Sequence, residues 1–221
     1  MANGIRLFYG ACVFIYIIHG VLSGYDQDVF SNILTFLDGL KQFRSTTRPV
    51  QNVSDVLDIN ASWNLVSVID FDETSGFIEV SGYLTLSWKP TAYADILTAD
   101  FNASENTQNT DMWKPSILLV NSLKYYDEVG SDTKIRIEYD FTTQTCTWKP
   151  WMITKVACSP NVQYYPFDKQ SCALRFSIWG YKSSEVKLKP TSSDWTFAFF
   201  EENGEWVVSN TTVESFDVDG V

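Results

Sequence analysis

Apolar and polar positions along this chain follow two periods. From Asp26 to Leu40 the spacing is helical, with Val29, Ile33, Phe36, Leu37 and Leu40 on one face. Asp26 and Asp28 suit the positive N-terminal end of such a helix, and Lys41 and Arg44 lie near its negative C-terminal end. The pattern breaks at Arg48-Pro49. Beyond it the period is close to two. Ile78, Val80, Leu84, Leu86 and Trp88 line one face of a strand, and Glu79, Ser81, Tyr83, Thr85 and Ser87 line the other. Lys134 to Phe141 alternates likewise, with Ile135, Ile137, Tyr139 and Phe141 against Lys134, Arg136, Glu138 and Asp140. Ala173 to Trp179 does so again, with Leu174, Phe176 and Ile178 inward. Gly, Pro, Asn and Asp clusters separate these strands. The expected fold is all-β, a twisted antiparallel β-sandwich of immunoglobulin-like form, with one N-terminal α-helix.

Two aromatics break the alternation. Tyr83 stands on the polar face of its strand between Ser81 and Thr85. Trp179 shares a face with Arg175 and Ser177, opposite Phe176 and Ile178. Such residues cover a loop or fill a subunit contact in one reading. In the other, a ring face meets a cation, which contributes about 0.5–2 kcal/mol per ring depending on desolvation.

Residues 1–24 read as a secretory signal: Arg6 is the basic end, Leu7 to Leu22 is apolar, and Ser23 and Gly24 offer a cleavage point. A transmembrane anchor is the alternative. No later run is long and apolar enough to span a bilayer. Four sequons agree with export, at Asn52, Asn60, Asn102 and Asn210. The chain holds one histidine, His19, inside the apolar leader. Without it Ser-His-Asp and Cys-His catalysis and most zinc sites are excluded; a carboxylate-only hydrolase has no support beyond scattered Asp and Glu, and no enzyme, metal or cofactor is expected. The net charge of −11 argues against nucleic acid as a partner and suits cationic ones, or simply solubility.

Thirteen residues separate Cys158 from Cys172, with Tyr165-Pro166-Phe167-Asp168 near their middle. Cysteines at this separation can close a compact loop, worth roughly 3 kcal/mol in a chain-entropy account. Two separate buried thiols are the other reading.

These residues together resemble the extracellular ligand-binding domain of Cys-loop pentameric ligand-gated channels of the nicotinic acetylcholine receptor type, and also the acetylcholine-binding protein. The likeness runs from Arg48-Pro-Val-Gln-Asn-Val-Ser-Asp55 through Ile69-Asp-Phe-Asp-Glu73, Tyr83 with Trp88, Trp113-Lys-Pro115 and Trp148-Lys-Pro150. It continues through the Cys158–Cys172 loop, Trp179-Gly-Tyr181 and Asn203-Gly-Glu-Trp206. The resemblance implies a helix-bearing sandwich over residues 25–221, a Cys158–Cys172 disulfide and a homo- or hetero-pentamer. It implies a small acetylcholine-class cation held between neighbouring subunits. It casts Trp179, with Tyr181 beside it, on the principal face and Tyr83 on the complementary one.

The departures from that pattern are as informative. Val120 stands seven residues after Trp113, where the family carries a tyrosine. Alternation and resemblance together aim Thr147 and Lys149 at the pocket, and an ammonium there repels a cationic ligand unless it reaches out to solvent. Cys146 has no evident partner and reads as a half-buried free thiol. The third principal loop of the family should begin about where this sequence stops, so the domain is expected to be C-terminally incomplete, and any membrane contact to pass through a pore domain outside it. Three functions fit: the binding domain of a channel subunit, a secreted binding protein without a pore, or a non-binding assembly subunit.

Overall fold

The computed structural model describes residues 27–40, 47–96, 107–109, 112–124, 127–131, 136–165 and 167–215. The leader at 1–24, the sequon at Asn102, and Ile135 lie outside them. Helix α1 spans Gln27–Leu40, and Asp26, where the helical pattern begins, lies outside the described residues. Ile33, Phe36, Leu37 and Leu40 turn inward as their spacing requires, with Phe36 and Leu40 fully buried.

Among the described residues nine strands follow. They are β1 (Leu57–Asp72), β2 (Phe77–Trp88), β3 (Thr107–Asn109), β4 (Ile117–Leu119) and β5 (Ile137–Asp140), then β6 (Thr145–Trp148), β7 (Trp151–Ala157), β8 (Phe176–Ile178) and β9 (Val186–Pro190). The larger sheet runs β3-β5-β6-β2-β1-β9, with β7 also on β2, and β4 pairs β8 in a small second sheet. All pairs are antiparallel except β1 with β9, which is parallel and departs from the purely antiparallel expectation. The all-β sandwich with an N-terminal helix is otherwise as the periods indicate.

The two sheets meet through alternate residues. Ile59, Trp63 and Leu65 of β1 and Leu84, Leu86 and Trp88 of β2 share one core with Ile117 of β4. The Trp63 ring lies 5.6 Å from Phe176 of β8. Gly82 is required by this packing: a Cβ there would lie 2.5 Å from the Asn64 carbonyl oxygen and 2.5 Å from the Trp63 ring. At one end Phe36 of α1 stacks on Tyr139 at 4.9 Å and meets Phe141 edge-on at 5.0 Å. At the other end the β1–β2 turn is closed by Asp72, whose carboxylate accepts from the Thr74 and Ser75 amides at 2.8 Å each. Those amides hold the Asp72 carboxyl below its usual range. Gly76 supplies the positive φ of 67° that ends this turn.

β1 is covered on both edges. β2 lies along one edge, and β9 with the irregular segment after it lies along the other. The Thr191 amide donates to Ala61 O, Thr196 exchanges bonds with Trp63 and Leu65, and the Glu201 amide donates to Val66 O. This course brings Phe199 to 6.4 Å from the Tyr83 ring.

Candidate functional site

Cys158 and Cys172 form a disulfide. The Cys158 amide donates to Gly76 O at 2.9 Å, which fixes the closed loop at the β1–β2 turn, opposite the helix. Its tip is apolar and exposed at Tyr164, Tyr165 and Phe167. From Cys172 the chain enters β8, and Trp179 follows directly.

β8 and β4 present one outward face. The Trp179 amide donates to Ser116 O at 2.9 Å and the Val120 amide to Arg175 O at 2.7 Å, so these two residues close opposite ends of the small sheet. Four residues of strand, about 13 Å, separate Ser116 from Val120. Trp179 is 52% exposed and Val120 is exposed on the same outward side. Tyr181 is half-buried, and its hydroxyl accepts from the Trp113 indole N–H at 3.1 Å. Here Trp113 also meets the Tyr181 ring edge-on at 6.0 Å. Tyr181 therefore supports the turn after Trp179, with its oxygen already engaged.

The other expected residues gather on the outer face of the larger sheet. β2 pairs with β6 at Ser87↔Thr147 and with β7 at Tyr83↔Trp151, and four residues separate the two positions on each strand. The register is thus unbroken, and it sets Lys149 opposite Thr85 on the same face as Thr147 and Tyr83. Lys149 is exposed and Thr147 half-buried. Tyr83 is only 8% exposed, because Trp151 stacks on it at 4.7 Å and 26°. The aromatic that this face offers to solvent is Trp151, with Ile153 beyond it on β7 and Phe199 nearby. Sequence reasoning missed Trp151, although continuing the alternation from Thr147 and Lys149 by one step reaches it.

A polar network joins the two sheets. Asp127 accepts from Ser122 Oγ at 2.7 Å and from the buried Thr154 Oγ1 of β7 at 2.8 Å. Its neighbour Glu128 accepts from Ser116 Oγ at 2.6 Å, and Ser116 carries the carbonyl that holds Trp179. Cys146 is wholly buried rather than half-buried, and burial pushes its thiol up from the ordinary range. It takes no part in either face.

A helix-capped sandwich with a disulfide-closed loop at one end and aromatics on two outward faces defines a ligand-recognition domain. The chain belongs to the family described as the neurotransmitter-gated ion-channel ligand binding domain, whose profile matches residues 34–219. It is similar to acetylcholine receptor subunit alpha-type acr-16 of Caenorhabditis elegans, 28% identical over 80% of this chain and 35% of that protein. It is 30% identical to neuronal acetylcholine receptor subunit alpha-6 of Rattus norvegicus, over 77% of this chain and 34% of that one. Acetylcholine receptor subunit alpha-1-B of Xenopus laevis is 26% identical over 90% of this chain and 42% of its own length. The chain thus spans about a third of the length of the curated relatives it matches first.

Proposed function

We propose that the chain is the extracellular neurotransmitter-binding domain of a nicotinic acetylcholine receptor-like channel subunit, with ligand held between neighbours in a homo- or hetero-pentamer. The observation that carries this reading is the division of the expected site between two sheets. Trp179 and Val120 lie on the outward face of the small sheet, and Tyr83, Thr147 and Lys149 lie on that of the large one. Neither set is a complete aromatic box, so each needs the other from an adjacent copy. Trp179 presents a ring to an acetylcholine-class cation, a contact worth about 0.5–2 kcal/mol. Val120 supplies no second ring, and the Lys149 ammonium stands on the complementary side, so affinity for a cation is low. Residues 1–24 direct the chain into the secretory pathway, and the sequon asparagines Asn52, Asn60 and Asn210 are exposed.

The test is fractionation of the native protein with an antibody raised against residues 25–221. A channel subunit remains in membranes through alkaline carbonate washing. Recovery from the extracellular medium alone would overturn the channel reading in favour of a secreted binding protein.

A further inference from the structure

The sequon at Asn60 differs from those at Asn52 and Asn210, which lie outside the paired strands. Asn60 lies near the start of β1, with partners on both sides: Ser87 of β2 and Lys189 of β9. Pairing continues from Ser87 to Thr147 of β6, and from Thr147 to Glu138 of β5. Directly paired residues share a face, so Asn60, Ser87, Thr147 and Glu138 form one row across the large sheet. Two strand spacings, about 10 Å, separate Asn60 from Thr147. The flanking Ile59 is wholly buried, which turns Asn60 outward, and Asn60 is exposed. The β1–β2 register runs without a shift from Asn60↔Ser87 to Asn64↔Tyr83, so Asn60 and Tyr83 also share this face.

The face therefore has two halves. One is apolar, with Trp151, Ile153 and Phe199 exposed around Tyr83. The other is polar, with Asp58, Asn60, Ser87, Thr147 and Lys189, and the Lys189 ammonium pairs with Asp58 at 2.6 Å. An N-linked glycan is bulky and solvated. Rooted at Asn60, its first sugars cover the polar half and reach Thr147.

We infer that glycosylation of Asn60 closes the Tyr83–Thr147 face to a neighbouring subunit, so that a modified copy offers only its Trp179 face. The inference rests on the proposed assembly through that face. Every copy in a ring uses both of two different faces, so a ring made only of Asn60-modified copies cannot close. Occupancy of one sequon then sets whether the chain assembles with itself or only at one side of an unmodified partner.

The test uses the chain secreted from glycosylating animal cells. Release of glycans by peptide-N-glycosidase in heavy-oxygen water marks each occupied asparagine by mass. Light scattering on a sizing column gives the mass of the intact assembly. We expect Asn60 to be occupied and the secreted protein to be monomeric. Asn60→Gln and Ser62→Ala, which remove the same glycan through different residues, should both shift the protein to closed oligomers. Asn52→Gln and Asn210→Gln should leave it monomeric. Far-ultraviolet circular dichroism matching the parent's, with no variant melting below it, separates this effect from misfolding. An unoccupied Asn60, or an oligomer that carries the Asn60 glycan, overturns the inference alone. Failure of both sequon-free forms to assemble overturns it together with assembly through this face.

Discussion

Tyr83 and Trp179 are both large aromatics on polar strand faces, yet one is 8% and the other 52% exposed. That difference sets opposite expectations for truncation. Trp179→Ala should leave unfolding by denaturant within about 0.5 kcal/mol of the parent, as for surface positions generally. Tyr83→Ala removes a buried ring stacked on Trp151 and should cost about 3 kcal/mol. A loss at Trp179 as large as that at Tyr83 would place Trp179 in the core and remove the basis for its binding role. The two residues were legible in the sequence because period-two alternation isolates any large ring among Ser, Thr and Arg. Their different burial was not legible. Tyr83 is covered from a neighbouring strand by Trp151 and by Phe199 from far along the chain, and alternation within one strand carries no information about either.

Among elements, the disulfide loop is fixed at the β1–β2 turn, and the Asp127 network ties β7 to the segment after β4. Cys158→Ser frees a loop of about 15 residues and should cost roughly 3 kcal/mol. Secreted yield and melting temperature should both fall, and an unchanged melting temperature would show that the bond is dispensable. Asp127→Ala leaves the buried Thr154 hydroxyl without its acceptor and should cost about 1–3 kcal/mol in denaturant unfolding. Helix α1 and strand β2 were legible almost to the residue, since each keeps its period throughout and buries the face that period selects. Residues 173–179 alternate as a strand, but only Phe176–Ile178 is one, because β4 offers partners over just that length. The parallel pairing of β1 with β9 was hidden, as it joins segments more than a hundred residues apart and leaves no local signature. In the candidate site, the common face of Thr147, Lys149 and Trp151 is what alternation implies, whereas the stacking of Trp151 on Tyr83 needed the observed register.

At the scale of the molecule, the core beneath the helix gathers groups that are stable only when neutral. Burial raises Cys146, Tyr93 and Tyr139 above their ordinary values of 9.0 for the thiol and 10.0 for the phenols. In the unfolded chain these groups lose protons near those ordinary values, whereas in the folded chain they keep them. Their contribution to stability is therefore complete below about pH 9 and is lost as the pH rises further. Denaturant midpoints should fall steadily above that pH, and Cys146 should resist thiol reagents until the protein unfolds. A midpoint that stays flat into the alkaline range would mean that the three groups are hydrated in the native state.

In the proposed assembly the ligand site is shared between copies, with the Trp179 face of one meeting the Tyr83–Thr147–Lys149 face of the next. Calorimetric titration of the purified, monomeric 25–221 protein with acetylcholine separates a shared site from one built within a single copy. No saturable binding is expected in the micromolar range, because a single copy holds the two half-sites on different sheets. Micromolar binding by the monomer would contradict it, since a complete cation site would then exist within one chain.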